Sequence, residues 1–264
     1  MQTVLGAFTR PWTMLPYPDA MWRLGRVFSA GGIMRCQGRL AIDLDSTEEE
    51  ARAAADVARE RGVALLCMLA QAPHVAQSAE AGAADFRRNV DLAAAAAIPH
   101  ILATGIGDAS KQAVYIEALR LAAPYAAERG TTIGLKPHGG ITATGADCRR
   151  IAEAVGRRGF GLWFDPGNFI HYDGLDPVRE AAPMAEYCVG VCLKDCRRDE
   201  AGKPNVNILP GTGEVDFEAC LRTLAKADFD GPMLIECLGG AEPDEVDANA
   251  RQAKEYFEAM LRAI

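Results

Sequence analysis

Residues 131–168, TTIGLKPHGGITATGADCRRIAEAVGRRGFGLWFDPGN, decide the architecture. Two short apolar runs, Thr132–Leu135 and Phe160–Phe164, flank an amphipathic segment, Ala146–Arg157. That is strand, helix, strand, and a crossover of this length makes the two strands parallel. Polar residues follow each run at once: Lys136 and His138 after the first, Asp165 and Asn168 after the second. In a parallel α/β protein the chemistry lies just past the carboxyl ends of the strands, so these four side chains are expected to share one mouth.

The rest of the chain repeats this plan. Upstream, Thr3–Phe8 reads as a first strand, with Thr9 and Arg10 at its end. A helix runs from Asp19 to about Ser29, with Ala30-Gly31-Gly32 as its stop. Arg39–Leu44 reads as strand two, and Ser46 then caps a helix that is acidic in its first turn and basic in its last. Val63–Leu69 and Pro99–Ala103 follow as strands three and four, each with a helix behind it. Downstream, Tyr187–Leu193 ends in Lys194-Asp195, and Pro232–Ile235 ends at Glu236. Strands buried on both faces read as continuous apolar runs, and these do. Eight of them alternating with helices in a chain of 264 residues specify an α/β fold, a (β/α)8 barrel in one domain over 1–264.

Composition narrows the function. Hydrophobic residues make up 49% and charged residues 24%, with a net charge of −8. There is no basic run, so nucleic acid is not an expected partner, and no apolar stretch of about 18 residues, so no membrane span is expected. The eight cysteines contain no CxxC pair and are read as reduced, mostly buried thiols. The N-terminus MQTVLGAFTRPW lacks the pattern of a signal peptide, and the expected location is cytoplasmic.

The polar residues ending the last four strands are Lys136 and His138, Asp165 and Asn168, Cys192 with Lys194 and Asp195, and Glu236. Two carboxylates facing each other across a barrel mouth require a positive group between them, either a divalent metal or an ammonium. GLWFDPGN, VCLKD, LPGTGEVDF and MLIEC, in this order and spacing, resemble the xylose isomerase-like TIM barrel superfamily of sugar and sugar-phosphate isomerases and epimerases. The resemblance spans roughly the C-terminal half. It implies a divalent metal (Mn, Mg or Zn) held from strands five to eight by Glu, Asp, His and Glu, with the two glutamates relaying protons at a sugar carbon. Asp165 and Glu236 match that pattern, and Asn168 stands at a position that faces the substrate. Two positions depart from it. Lys136-Pro137-His138 replaces Glu-Asn-His, and Cys192-Leu193-Lys194-Asp195 replaces His-x-Lys-Asp.

A lysine in place of a ligand carboxylate puts one positive charge where the cation would sit. The expectation is therefore that Lys136 replaces the metal; a shifted metal site of Asp165, Glu236, His138 and Cys192 is the alternative. Under the first, Lys136, Glu236 and Asp165 are the catalytic residues: Glu236 the base, Lys136 the oxyanion stabiliser, Asp165 orienting Lys136 or the substrate. Substrate contacts are assigned to His138, Asn168, Lys194, Arg197, His171 and Trp12, the last from the first loop. The glycine-rich segment Pro210–Glu214 offers backbone N–H groups for a phosphate, although a helix lead-in accounts for it as well. The expected reaction is isomerisation or epimerisation of a small carbohydrate substrate by proton removal next to a carbonyl. A lyase or dehydratase on the same substrates and a non-catalytic sugar-binding barrel are the alternatives. A metal-dependent endonuclease is disfavoured by the four histidines and the absence of a basic patch. The resemblance also implies a homo-oligomer, with no stripe to assign to it.

Overall fold

The computed structural model describes residues 3–264, with Met1 and Gln2 outside them. Eight parallel strands close into a barrel: β1 Leu5–Phe8, β2 Ala30–Ile33, β3 Ala64–Leu69, β4 His100–Thr104, β5 Thr132–Lys136, β6 Phe160–Phe164, β7 Cys188–Leu193 and β8 Met233–Ile235. Each strand pairs with its neighbours in the chain, and β8 closes against β1 in the register Leu5↔Met233. The outer ring is α1 Tyr17–Gly25, α2 Glu48–Arg59, α3 Ala79–Ala95, α4 Gln112–Glu128, α5 Gly145–Val155, α6 Pro177–Met184, α7 Phe217–Ala225 and α8 Pro243–Ala263. Local signals start and stop them. Thr144 and Asp147 form a capping box on α5, and Gly156 at φ 89° ends it. On α2 the cap is Thr47 with Glu50, not Ser46, whose hydroxyl is bonded to the Asp43 turn instead.

One expected strand is misplaced. Arg39–Leu44 is an irregular segment, and β2 is the glycine-rich Ala30–Ile33. Leu40 and Ile42 are buried, which produces the alternation that reads as a strand. Gly31 and Gly32, read as a helix stop, lie in the barrel wall because β1 packs hard against them. A Cβ on Gly32 would lie 2.5 Å from the Phe8 ring, and one on Gly31 would lie 3.0 Å from the Ala7 carbonyl oxygen. Propensity alone assigns glycine to a break; here close packing requires it.

The strand period of two sorts the side chains. Ile133, Leu135, Leu162, Phe164, Val191, Leu193, Met233 and Ile235 face the helices in the larger core. Phe8, Met34, Cys67, Leu102, Trp163, Cys192 and Leu234 form a separate apolar plug inside the barrel. Trp163 fits because its neighbouring strands present glycine: a Cβ would meet its ring at 2.9 Å from Gly134 and 2.5 Å from Gly190. The plug closes the barrel from below and leaves the next inward-facing position of each strand as the floor of a cavity.

Candidate active site

The residues one pleat above the plug are Lys136 on β5, Asp165 after β6, Lys194 after β7 and Glu236 after β8. They close a ring of alternating charge. Lys136 Nζ lies 2.7 Å from Glu236 Oε2 and 3.2 Å from Asp165 Oδ2. Lys194 Nζ lies 2.8 Å from Asp165 Oδ2 and 3.1 Å from Glu236 Oε1. Arg10, after β1, adds a third cation 3.1 Å from Glu236 Oε1 and also bonds the Cys237 sulfur. None of the four ring residues is more than 3% exposed. Asp165 is fully buried; its Oδ1 accepts the Asn168 backbone N–H at 3.1 Å, and Oδ2 pairs with both ammoniums off their hydrogen-bonding directions.

Burial opposes the charge of Lys136, Lys194 and Glu236, but the opposite charges around each prevail. Lys136, Lys194 and Arg10 outweigh desolvation and hold the Glu236 carboxyl well below its ordinary value of 4.5. Desolvation works against the Lys136 ammonium, yet Glu236 above all raises its pKa above the ordinary 10.5. Lys194 is raised in the same way, by Asp165 and Glu236. Below pH 4.5 the unfolded chain's Glu236 takes a proton that the folded chain's does not, so its contribution is lost as pH falls through the depressed pKa. Above 10.5 the unfolded Lys136 loses a proton that the folded one keeps, so its contribution is lost as pH rises through the raised pKa. The ring's full contribution is therefore expected between about pH 4.5 and 10.5. Urea unfolding across this range tests it, and stability that still rises below pH 4 would contradict the ionised ring.

Above the ring opens a cavity of about 1450 Å³. Lys136, His138, Asn168, His171, Lys194 and Glu236 all line it. The Asn168 amide donates to the Pro137 carbonyl at 2.7 Å, tying the β5 and β6 loops together. His138 Nε2 lies 2.7 Å from the Tyr172 hydroxyl, and burial, with Lys136 and Lys194, lowers its pKa, so the imidazole is neutral near pH 7. His171 is lowered likewise by burial, Lys194 and Arg10. Both His171 and Tyr172 sit on a single π-helical turn, Phe169–Asp173, a geometry frequent at functional sites.

Several assignments are corrected. Trp12 does not reach the mouth: it is fully buried, and its indole N–H donates to Asp247 on α8 at 2.8 Å. Arg197 does not line the cavity: it is exposed, and its backbone is held in a two-residue antiparallel ladder with Asn205 beyond β7. Asp165 and Cys192 do not line the cavity: both are fully buried beneath its floor, where Asp165 pairs with the two ammoniums. His138 is bonded to Tyr172 and is not grouped with Asp165, Cys192 and Glu236 as a metal ligand. Arg10, placed at the end of the first strand but given no role there, lines the cavity, as do Tyr172 and His74. The strand-end rule that selected Lys136 as a site residue applies equally to Arg10.

The glycine-rich loop is already filled. The Asp195 carboxylate accepts backbone N–H groups from Cys196 at 2.8 Å, Gly211 at 2.9 Å, Gly213 at 2.8 Å and Val215 at 3.2 Å. The N–H groups that suggested a phosphate cradle thus hold an internal anion, next to Lys194 in the chain. Asp195→Asn turns one acceptor into a donor against these N–H groups and is expected to cost roughly 2–3 kcal/mol. Chemical denaturation measures it; an unchanged midpoint would show that the loop stands without this anchor.

Asp165, Cys192 and Glu236 each bring one potential metal ligand within 4.8 Å of the others. The set does not suit a divalent ion. Both ammoniums already bridge the carboxylates, and with Arg10 the cluster holds three positive and two negative charges. Burial, with Glu236, pushes the Cys192 thiol well up, so without a metal it adds no negative charge to this set.

The model of the xylose isomerase-like TIM barrel family matches residues 28–260. The chain belongs to that family. Among curated relatives, an inosose dehydratase of Geobacillus kaustophilus is 27% identical over 164 residues, covering 55% of this chain and 52% of its own. An L-ribulose-5-phosphate 3-epimerase of Escherichia coli is 33% identical over 104 residues, covering 39% of this chain and 34% of its own. The aligned segments thus span about half or less of each relative's length. A D-psicose 3-epimerase structure from Clostridium cellulolyticum shares the fold with a TM-score of 0.78 at 13% identity, covering 98% of this chain and 99% of that one. Membership of the xylose isomerase-like TIM barrel family agrees with the closed barrel, and no helix among the described residues is long and apolar enough to cross a membrane.

Proposed function

We propose that the protein is an enzyme that removes a proton next to the carbonyl of a small polyhydroxylated ketone, a sugar or keto-sugar, and does so without a divalent metal. The observation that carries this reading is the charge ring Lys136–Glu236–Lys194–Asp165 on the floor of the cavity. Glu236 at rest is a weak base, because three cations hold its charge. A substrate carbonyl and its neighbouring hydroxyl would accept hydrogen bonds from Lys136 and Lys194 in place of Glu236. That substitution leaves Glu236 less compensated and raises its proton affinity at the moment it faces the carbon acid. As the proton leaves, negative charge moves onto the substrate oxygen, where the two ammoniums are already placed to receive it. Asp165, below the floor, keeps both lysines protonated and aimed.

Reprotonation at the same or the adjacent carbon gives epimerisation or isomerisation. Elimination of a β-hydroxyl is the second reading, and Lys136 favours it. Where the resemblance implies a second carboxylate there is an ammonium, so one base stands beside two hydrogen-bond donors to a leaving hydroxyl, which departs as water with the proton that Glu236 has taken. The dehydratase among the relatives agrees with it. The test is proton NMR in deuterated water over ketohexoses, keto-inositols and keto-sugar acids. Uptake of deuterium next to the carbonyl supports the common first step. Retention of every oxygen then marks isomerisation, and loss of one marks elimination. No exchange in any substrate that binds would leave a sugar-binding barrel.

A further inference from the structure

The charged cluster at the barrel mouth is short of one negative charge. Lys136, Lys194 and Arg10 face only Asp165 and Glu236, in a chain whose overall charge is −8. An excess of positive charge in a pocket attracts an anion, and guanidinium donors left free there can receive it. The position of the excess is specific. Arg10 spends one guanidinium nitrogen on Glu236 and Cys237, and its side chain is 38% exposed to the cavity. Its Nε and second terminal nitrogen have no hydrogen-bond partner among the described residues.

Arg35 follows β2, the strand paired with β1, and lines the same cavity. The Thr13 hydroxyl donates to the Arg35 carbonyl at 3.0 Å, so the two loops are tied together. The Arg35 guanidinium is exposed, and its one contact, with the Gly38 carbonyl at 3.4 Å, is weak. The other charged groups on this wall are largely committed. Arg88 holds the carbonyls of Leu44 and Ser46, and Asp85 accepts the His74 backbone N–H at 2.8 Å and its ring Nδ1 at 3.0 Å. Asp45 is the one opposing charge there without an ion-pair partner among the described residues.

We infer that Arg10 and Arg35 form an oxyanion subsite, so that the substrate carries a carboxylate or phosphate beside its polyhydroxylated chain. Guanidinium forks suit both groups, and two forks from adjacent loops hold such a group more firmly than ammoniums would. The site lies after β1 and β2, away from the Pro210–Glu214 loop, whose amides Asp195 has taken. It deepens the reading above by naming a substrate class, but it concerns equilibrium binding and requires no turnover.

The test is thermal unfolding at constant ionic strength with matched pairs: D-glucuronate against D-glucose, D-galacturonate against D-galactose, D-gluconate against D-glucitol, and D-glucose 6-phosphate against D-glucose. At least one anion, at about ten times its Kd, is expected to raise Tm by roughly 3 °C, and its neutral partner is not. The uronates and gluconate separate a carboxylate preference from the phosphate's. Arg35→Gln, which removes an exposed side chain, is expected to weaken that anion roughly tenfold, and Arg35→Gln with Arg10→Gln to abolish the shift. The inference fails if no anion shifts Tm, if neutral partners shift it equally, or if the shift survives in the double variant. Anion binding without deuterium exchange would sink the enzyme reading and keep the subsite; exchange with no preference for anions would do the reverse.

Discussion

Lys136→Glu is expected to turn the charge ring into a divalent-metal centre. The substitution takes the cluster from one surplus positive charge to one surplus negative charge and supplies a third carboxylate beside Asp165 and Glu236. Lys194 belongs to the Lys-Asp pattern of the family resemblance, so its presence is no bar. Three carboxylates suit manganese or magnesium, and Cys192 beside them adds affinity for zinc. After soaking in each metal and gel filtration, elemental analysis is expected to find about one equivalent in Lys136→Glu and none in the wild type. Near-stoichiometric metal in the wild type, lost in Asp165→Asn, would overturn the assignment of Lys136 as the central cation. It would also restore a metal-dependent mechanism.

The second large effect falls on Glu236. Glu236→Gln keeps the shape of the side chain but leaves Lys136, Lys194 and Arg10 facing Asp165 alone. Removing one partner from a buried charge cluster costs about 3–5 kcal/mol. For a chain of this length that lowers Tm by roughly 6–12 °C. Lys136→Met, by contrast, leaves two cations against two carboxylates and is expected to cost less, although it removes as many side-chain charges. The order of the two variants thus reports the charge imbalance and not merely the loss of a contact. In the exchange experiment Glu236→Gln is expected to slow deuterium uptake by roughly 10³, within the range for loss of a general base. A variant as stable as wild type, or one that still exchanges at the wild-type rate, would remove Glu236 from the role assigned to it.

Much of this site was legible before folding, for a local reason. Each of the last four strands is an apolar run that ends abruptly in a charged or polar residue. In a parallel barrel that local fact has a global consequence, since all carboxyl ends meet at one face. Lys136, Asp165, Lys194 and Glu236 could therefore be placed together without knowing their contacts. The mouth-facing Arg10 obeys the same rule but lacked the family motifs that drew attention to the other four.

What pattern and spacing determined, then, was the sequence of strand and helix in the second half of the chain and the chemical groups at its strand ends. Periodicity and abrupt polar stops act over a few residues and need no partner. The tertiary structure alone decided the rest, because the partners are far apart in the chain. Lys136 and Glu236 are separated by 100 residues and Lys194 and Glu236 by 42, so their alternation as a ring is invisible to spacing. The same distance hid the true β2, whose glycines serve Phe8 on a neighbouring strand, and the burial of Trp12 against Asp247, 235 residues away. It also hid the fate of the glycine-rich loop. A glycine-rich run can offer backbone N–H groups to an anion or simply lead into a helix, and only the folded chain shows the Asp195 carboxylate bound there.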